Sequence, residues 1–309
     1  MTPSVAPIAH RLRAYFAPVD RASGTPTLFD AALSGQFSLQ APPAPWIDLG
    51  WIDQFVRKCG TKVEALRTGS PSATVAQART QIEATVSLEF DSWGKLQSAL
   101  ASGSQQTNLL TGAPVPLLTG TGPASTAMAL NVGATAAAQF TPGALIAIDN
   151  DYTGQTGFIG AGVSAAYVAS AASVNNDADF IRRITLNTAV VASVAGGILT
   201  LAGPLLAGAP TAGMQVSPLA GFCDREGASF FQEWSALFLL EGTQGDRIFY
   251  HYPRLQPMQG SSESAEAMAA PLERIRLAAA FRALPITDAS DGETVLCFRS
   301  YLPAPLREI

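Results

Sequence analysis

From Gln81 to Phe90 the residues Ile82, Ala84, Val86, Leu88 and Phe90 alternate without a break with Gln81, Glu83, Thr85, Ser87 and Glu89. A period of two places the first set on one face of a β-strand and the second on the other, whereas a helix would mix them. One face is therefore buried and the other wet. Thr61–Thr68 supplies a partner strand just upstream, and Gly69-Ser-Pro-Ser72 supplies the turn. The second arm starts near Thr74, so the expected element is a long antiparallel hairpin. Its tip, Val75-Ala-Gln-Ala-Arg-Thr-Gln81, is too polar to stay extended by packing on its own domain. An open strand edge is a template for another chain. The tip is expected either to be a loose hairpin end or to pair with neighbouring copies, with Val75 and Arg79 at the contact.

After the strand, Asp91 or Ser92 can cap a short helix. Trp93, Leu96 and Leu100 share one of its faces, and Gly103 can end it. Trp46–Lys58 reads as the strand that opens this core. Before it, residues 1–45 hold seven prolines and few sustained patterns, and read as an N-terminal arm with a short strand at Arg13-Ala-Tyr-Phe16. An arm of this kind could lie across a neighbouring subunit or form an irregular surface loop.

Composition narrows the class. Charged residues make up only 14% of the 309-residue chain, with 27 Gly and 21 Pro, which favours a turn-rich β protein over a helical enzyme. The net charge of −5 gives no basic face for holding nucleic acid. The cysteines, at 59, 223 and 297, are isolated and odd in number, and suggest neither zinc nor a disulfide framework. Buried free thiols fit assembly in a reducing cytoplasm. Met1–Pro18 lacks the apolar stretch of a signal peptide.

From Leu96 to Ile148 there is no Asp, Glu, Lys or Arg. Short strands at Ala144–Ile148, within Gly157–Ala171, at Phe180–Val191 and at Ile198–Ala202 predict a small inserted β-barrel or sandwich spanning 115–220. The uncharged run Ala189–Ala209 is long enough for a membrane span. Gly196-Gly197 and Gly203-Pro204 break it, so it reads as a hairpin with no membrane span. The core resumes at 221 with Trp234–Leu240 and Arg247–Leu255. Next comes a strand in which Ile275, Leu277, Ala279, Phe281 and Ala283 oppose Arg274, Arg276 and Arg282, and Thr294–Leu302 closes the chain.

Nothing here predicts catalysis. The two histidines are His10, in the arm, and His251, among Phe249, Tyr250 and Tyr252, where packing is the expected role. No nucleophile elbow, phosphate loop, dinucleotide fingerprint or zinc-protease motif occurs. Asp149-Asn-Asp151, Asp177 with Asp179, and Asp288 with Asp291 and Glu293 lack the spacing of a calcium loop and read as turns. Expected cofactors and metals are none. Arg274, Arg276 and Arg282 are expected to pair with carboxylates of an adjacent strand or subunit.

Ile47-Asp-Leu-Gly-Trp-Ile52, the hairpin, Val86-Ser-Leu-Glu-Phe90 and Trp93-Gly-Lys-Leu-Gln97, together with the last two strands and their turn, resemble the tail tube (major tail) proteins of bacteriophages. The resemblance implies a mainly β fold: a tail-tube-like β-sandwich or barrel with a long hairpin and one short helix, interrupted by an outer β-rich domain. Its divisions would be a 1–45 arm, 46–114 as the first half of the core, 115–220 as the insertion and 221–309 as the second half. It implies a homo-oligomer of stacked hexameric rings in the virion tail. The rings would be assembled in the host bacterial cytoplasm, contact other tail proteins, and enclose a channel for passing double-stranded DNA. By the same analogy the hairpin arms, Lys62–Arg67 and Val75–Glu89, line the channel with Glu64, Gln77, Gln81, Glu83, Thr85 and Glu89. Their carboxylates would repel phosphate. A secreted or surface carbohydrate-binding β-sandwich module, using Tyr152 and Tyr167, is the alternative expectation.

Overall fold

The computed structural model describes residues 9–19, 25–34, 42, 46–92, 94–103, 105–118, 122–150, 188–205, 209–210, 214–225, 233–258, 263–264 and 276–303. The protein is mainly β. In chain order the first strands are β1 (Ala9–Pro18), β2 (Ile47–Thr68) and β3 (Ala73–Phe90). Then come β4 (Gln105–Leu110), β5 (Val115–Pro116), β6 (Ala129–Asn131), β7 (Leu145–Asn150), β8 (Thr188–Ala195), β9 (Ile198–Leu201) and β10 (Met214–Arg225). The rest are β11 (Trp234–Gly242), β12 (Arg247–Pro257), β13 (Glu263–Ser264), β14 (Arg276–Ala283), β15 (Ile286–Thr287), β16 (Thr294–Val295) and β17 (Phe298–Leu302). The helices are short: α1 (Ala31–Ser34), α2 (Lys95–Ser102) and α3 (Ala134–Ala137).

The chain divides into two units, one of residues 1–19, 25–103 and 231–309, the other of 20–24 and 104–230. The second unit is thus wider than the 115–220 expected from the spacing of short strands. The reason is pairing: β4 lies antiparallel to β10, from Arg225↔Gln105 to Leu219↔Leu110, so both belong to the insertion.

In the first unit the strands run β13-β14-β3-β2-β1-β11-β12-β17, and β12 also pairs with β14. That extra ladder, Leu255↔Ala283 to Pro257↔Phe281, closes β14, β3, β2, β1, β11 and β12 into a barrel. The two-residue periods decide what fills it. Val86, Leu88 and Phe90 stand opposite Phe281, Ala279 and Leu277, and all are buried. Phe16 sits among Trp234, Phe238 and Phe281 at ring-centroid distances of 6.1, 5.9 and 5.4 Å. Each such side chain contributes about 1.5–3 kcal/mol by leaving water. The expected N-terminal arm is corrected here. β1 is a central barrel strand between β2 and β11, with Ala14 to Ala17 fully buried, because Tyr15 and Phe16 each face an apolar layer.

The outer face of β1, β11 and β12 is covered by residues 25–34 and Trp46. Phe29 packs on Phe249 at 5.0 Å and on Trp46 at 6.4 Å. The Thr27 N–H donates to Ser235 Oγ (2.8 Å), and Ser235 Oγ donates to the Pro253 carbonyl (2.8 Å). α2 ends at Gly103, whose φ of +65° suits a residue without a Cβ. Leu100 and Ala101 of α2 are buried.

In the second unit β10, β7, β8, β9 and β6 follow one another, with β4 and β5 on the far edge of β10. The Leu118 N–H donates to the Asn131 carbonyl at 2.8 Å, which draws the β5 end to β6 and curls the sheet around an apolar core. Val115, Leu130, Ile146, Val191, Leu199 and Val216 are among its buried members. The Gly196-Gly197 hairpin between β8 and β9 forms as expected. Among the described residues no helix is long and apolar enough to cross a membrane.

Candidate assembly interface

β2 and β3 continue far past the barrel wall. β1 pairs with β2 only between Ile47 and Trp51, and β14 pairs with β3 only between Thr85 and Phe90. Beyond those ladders, among the described residues, β2 and β3 pair only with each other, out to Thr68↔Ala73. Every residue from Lys58 to Thr68 and from Ala73 to Glu83 is exposed. At about 3.3 Å per residue this ribbon extends roughly 35 Å. β2 runs unbroken through Gly60, which pairs with Glu83, where the sequence suggested two separate strands. Both outer edges of the ribbon therefore present a row of backbone N–H and C=O groups with no strand partner among the described residues.

Three irregularities set which side chain faces which way. An extra residue in β2 lies between Asp53↔Glu89 and Val56↔Ser87, at Gln54, whose φ is +49°. A bulge at Thr80 separates Lys62↔Gln81 from Val63↔Arg79, and its hydroxyl donates to the Lys62 carbonyl at 3.3 Å. Another at Val75 separates Leu66↔Ala76 from Arg67↔Thr74. A bulge adds one residue to one strand and so shifts its alternation against the partner.

The two faces follow from the register. On the barrel side, continuing from the buried Val86 and Ala84, stand Arg57, Cys59, Thr61, Ile82, Val63, Arg79, Ala65 and Gln77. On the outer side stand Lys58, Lys62, Glu64, Gln81, Glu83, Thr85 and Glu89. Gln77 was expected with the other channel-lining candidates, and the Thr80 bulge moves it to the opposite face. Arg282, exposed on β14 opposite Thr85, joins the outer face. Lys62 Nζ lies 3.6 Å from a Glu64 carboxylate oxygen. The cations of this face were missed in the sequence, although Lys62 and Glu64 share a parity. With Lys58, Lys62 and Arg282 beside Glu64, Glu83, Glu89 and Asp53, the face is close to neutral and is not a carboxylate lining.

Of the remaining candidates, Val75 and Arg79 are exposed on the ribbon. Arg276 stands in β14 opposite Ser264, and Arg274 lies outside the described residues. Tyr152, Tyr167, Asp177 and Asp179 also lie outside them. Asp288 accepts hydrogen bonds from the Ser290 N–H (2.9 Å) and Oγ (2.7 Å), which hold its carboxyl below the usual range. Asp291 accepts from the Glu293 N–H at 2.9 Å. Both are turn bonds. Among the described residues no group of three or more His, Cys, Asp or Glu gathers as a metal site.

The ribbon is clamped where it leaves the barrel. Arg57 Nε donates to Tyr252 Oη at 2.5 Å, and its guanidinium lies 4.4 Å from the Tyr250 ring centroid. Burial pushes the Tyr252 hydroxyl and the nearby Cys297 thiol up from their ordinary values, which keeps both protonated. Replacing Arg57 by Ala is expected to cost about 2 kcal/mol by removing a charged hydrogen bond and a cation–aromatic contact. Urea unfolding of Arg57→Ala and Arg57→Lys measures it, with Lys restoring less than half. At the same end of the barrel, a cleft of about 370 Å³ is lined by His10, Arg11, Glu241, Asp246 and Arg247. Asp246 packs against the Cα of Gly242, leaving no room there for a side chain.

No family model and no curated protein matches this chain. The geometry therefore stands on its own. It consists of a closed barrel carrying a long exposed ribbon whose two edges are unpaired among the described residues, with one face of nearly balanced charge and one less charged face.

Proposed function

We propose that the chain is a structural subunit of a bacteriophage tail tube, assembling into stacked, hexameric rings around a channel for DNA, with no catalytic role. The observation that carries this reading is the pair of strand edges, unpaired among the described residues, on a ribbon whose tip is exposed throughout. Exposed edges of this length are aggregation hazards unless another chain completes them. Five large apolar side chains of the ribbon, Val56, Val63, Leu66, Val75 and Ile82, are also exposed, Leu66 and Val75 by 61% and 60%. A second copy that pairs with an edge and covers Val63 and Ile82, which share the barrel-side face, removes the edge cost and part of the apolar one. Val56 and Leu66 stand on the outer face.

The direction of the wall follows from the barrel. Val86, Leu88 and Phe90 point into it, so the barrel body lies on one side of the β2–β3 sheet. In a closed ring the bodies have room only outside the wall, and the opposite face, with Lys62, Glu64, Glu83 and Thr85, lines the channel. Near-neutral charge suits passage. A duplex is bound chiefly by neutralising its phosphates. Here Lys62 already has the Glu64 carboxylate beside it, with Lys58 and Arg282 outnumbered by the carboxylates of the same face.

Width adds a condition. Two strands from each copy of a hexamer, 4.8 Å apart and tilted about 40°, leave a bore of only about 14 Å after side chains. B-form DNA is wider than about 16 Å, the sum of its groove depths. About four strands per copy open the bore to roughly 38 Å. The wall is then the run β14-β3-β2-β1, with each ribbon laid against strands of its neighbours.

Electron microscopy of the purified full chain tests the reading. Tubes or stacked rings with a bore above 20 Å, wide enough for a duplex, are expected. Dispersed single subunits at every concentration and salt tried would overturn it.

A further inference from the structure

The ribbon's two faces do not have the same fate in an assembly. We infer that the barrel-side face of the ribbon, carrying Cys59, Thr61, Val63, Arg79 and Ile82, is a docking surface for the body of a second copy of this chain. The inference rests on the tube reading and adds which face is covered and by what.

The argument starts at the ribbon root. There the barrel-side face is closed by the molecule's own body: Ala84 and Val86 are buried, and Arg57 reaches Tyr252. Beyond the Cys59–Ala84 pair the same face continues in the same sheet, yet Thr61, Val63, Arg79 and Ile82 are all exposed, as is Cys59 itself. The surface that a barrel covers at the root is thus left uncovered along the ribbon. Its chemistry continues the buried pattern. Ile82, Ala84 and Val86 form one apolar row opposite Thr61, Cys59 and Arg57. Val63 extends it, with Arg79 opposite. Between Lys58 and Glu64 the outer face carries charge at Lys58, Lys62, Glu64 and Glu83, while the barrel-side face carries a single charge, Arg79.

The occupant is a sister body because of the open edges. A strand added to either edge extends the sheet and leaves both faces as they were, so edge pairing alone never buries Val63 or Ile82. In the closed ring every copy has its barrel on the outer side of the wall, so a sister copy that supplies the added strand brings its barrel to the same side as this molecule's barrel. A sister copy therefore sets its body over the exposed apolar row and leaves the charged face to solvent. Stacking along the channel axis gives the same result, because the ribbon extends beyond the end of its own barrel.

Cys59 is a built-in reporter. It stands on the barrel-side face and is exposed in the single chain. Full-length protein is separated by sedimentation into assembled and unassembled fractions, treated with a maleimide, and Cys59 modification is read by peptide mass mapping. Modification is expected to slow about ten-fold or more in the assembled fraction, as access to the thiol is lost. A cysteine placed on the other face, Thr85→Cys, is expected to keep its rate. Val63→Lys and Ile82→Lys are expected to abolish assembly, and Thr85→Lys to permit it. If tubes form with Cys59 as reactive as in the free chain, or if Val63→Lys assembles normally, the docking surface is refuted while the tube stands. If no assembled fraction ever forms, the tube reading fails and this inference falls with it.

Discussion

A chain in which Lys62–Gln81 is replaced by Asn-Gly is expected to fold and to form no tubes or rings at all. The design keeps the Thr61↔Ile82 pair, and Asn-Gly suits the two-residue turn that then closes it. None of the removed residues is buried, so the barrel keeps its whole core. What disappears is the open edge. An edge of this length offers about ten hydrogen bonds, each worth about 0.5–1.5 kcal/mol net. That gain of roughly 5–15 kcal/mol is comparable with the cost of association, about 4–15 kcal/mol. A single contact is therefore marginal, and closure of a ring plus burial of the ribbon's apolar row must decide assembly. Losing the edge removes the largest favourable contribution. Thermal melting would show the body intact, and sedimentation with electron microscopy would show subunits only. Tubes built from the truncated chain would disprove the role given to the ribbon.

The second large effect is an acid sensitivity centred on His251. Its ring is buried, stacked on Phe298 at 6.0 Å and set against Trp46 at 5.9 Å. Nδ1 lies 3.3 Å from the Ala236 carbonyl, and Nε2 accepts from the Phe29 N–H at 3.3 Å. One nitrogen donates and the other accepts, so the neutral form fits and the imidazolium would lose the Phe29 bond. Burial pushes the pKa down to about 4 from 6.5. The unfolded chain takes up this proton as pH falls through 6.5, whereas the folded one resists until about 4. Stability from this group is complete above 6.5 and declines across that window, by about 3 kcal/mol in all. Wild type should lose that much more than His251→Gln between pH 7 and 4, read from urea unfolding at each pH. Equal slopes in the two proteins would refute it. The segment released first would be residues 25–34, which His251 pins over the barrel.

Much of this architecture was legible in the chain. The alternation from Ala84 to Phe90, and that from Leu277 to Ala283, predicted which residues face the core, because strand geometry alone enforces a period of two. Ile82, of the same parity, is exposed because the ribbon has left the barrel there. The turn at residues 69–72 and the Gly196-Gly197 hairpin were legible for a similarly local reason: turn residues act within their own few positions. β1 was not. Ala9–Pro18 has two arginines and ends at a proline, and only its neighbours, β2 and β11, make it central. The limits of the inserted unit were misread because β4 is polar and short, and its membership depends on pairing with β10 far along the chain.

On the ribbon the carboxylates Glu64, Glu83 and Glu89 share one face, as expected, while Gln77 stands on the other and the contact of Arg57 with Tyr252 was missed. Parity counts residues along one strand, and a bulge such as that at Thr80 or Gln54 resets the count through the register with another. By itself the sequence determined that there would be strands, where they turn, and that one ribbon would have too little apolar surface to pack at home. Only the tertiary structure decided that the ribbon leaves a closed barrel with both edges open, and which of its faces looks toward that barrel. Those are relations between strands, fixed by hydrogen-bond register and barrel closure, and no single strand carries them.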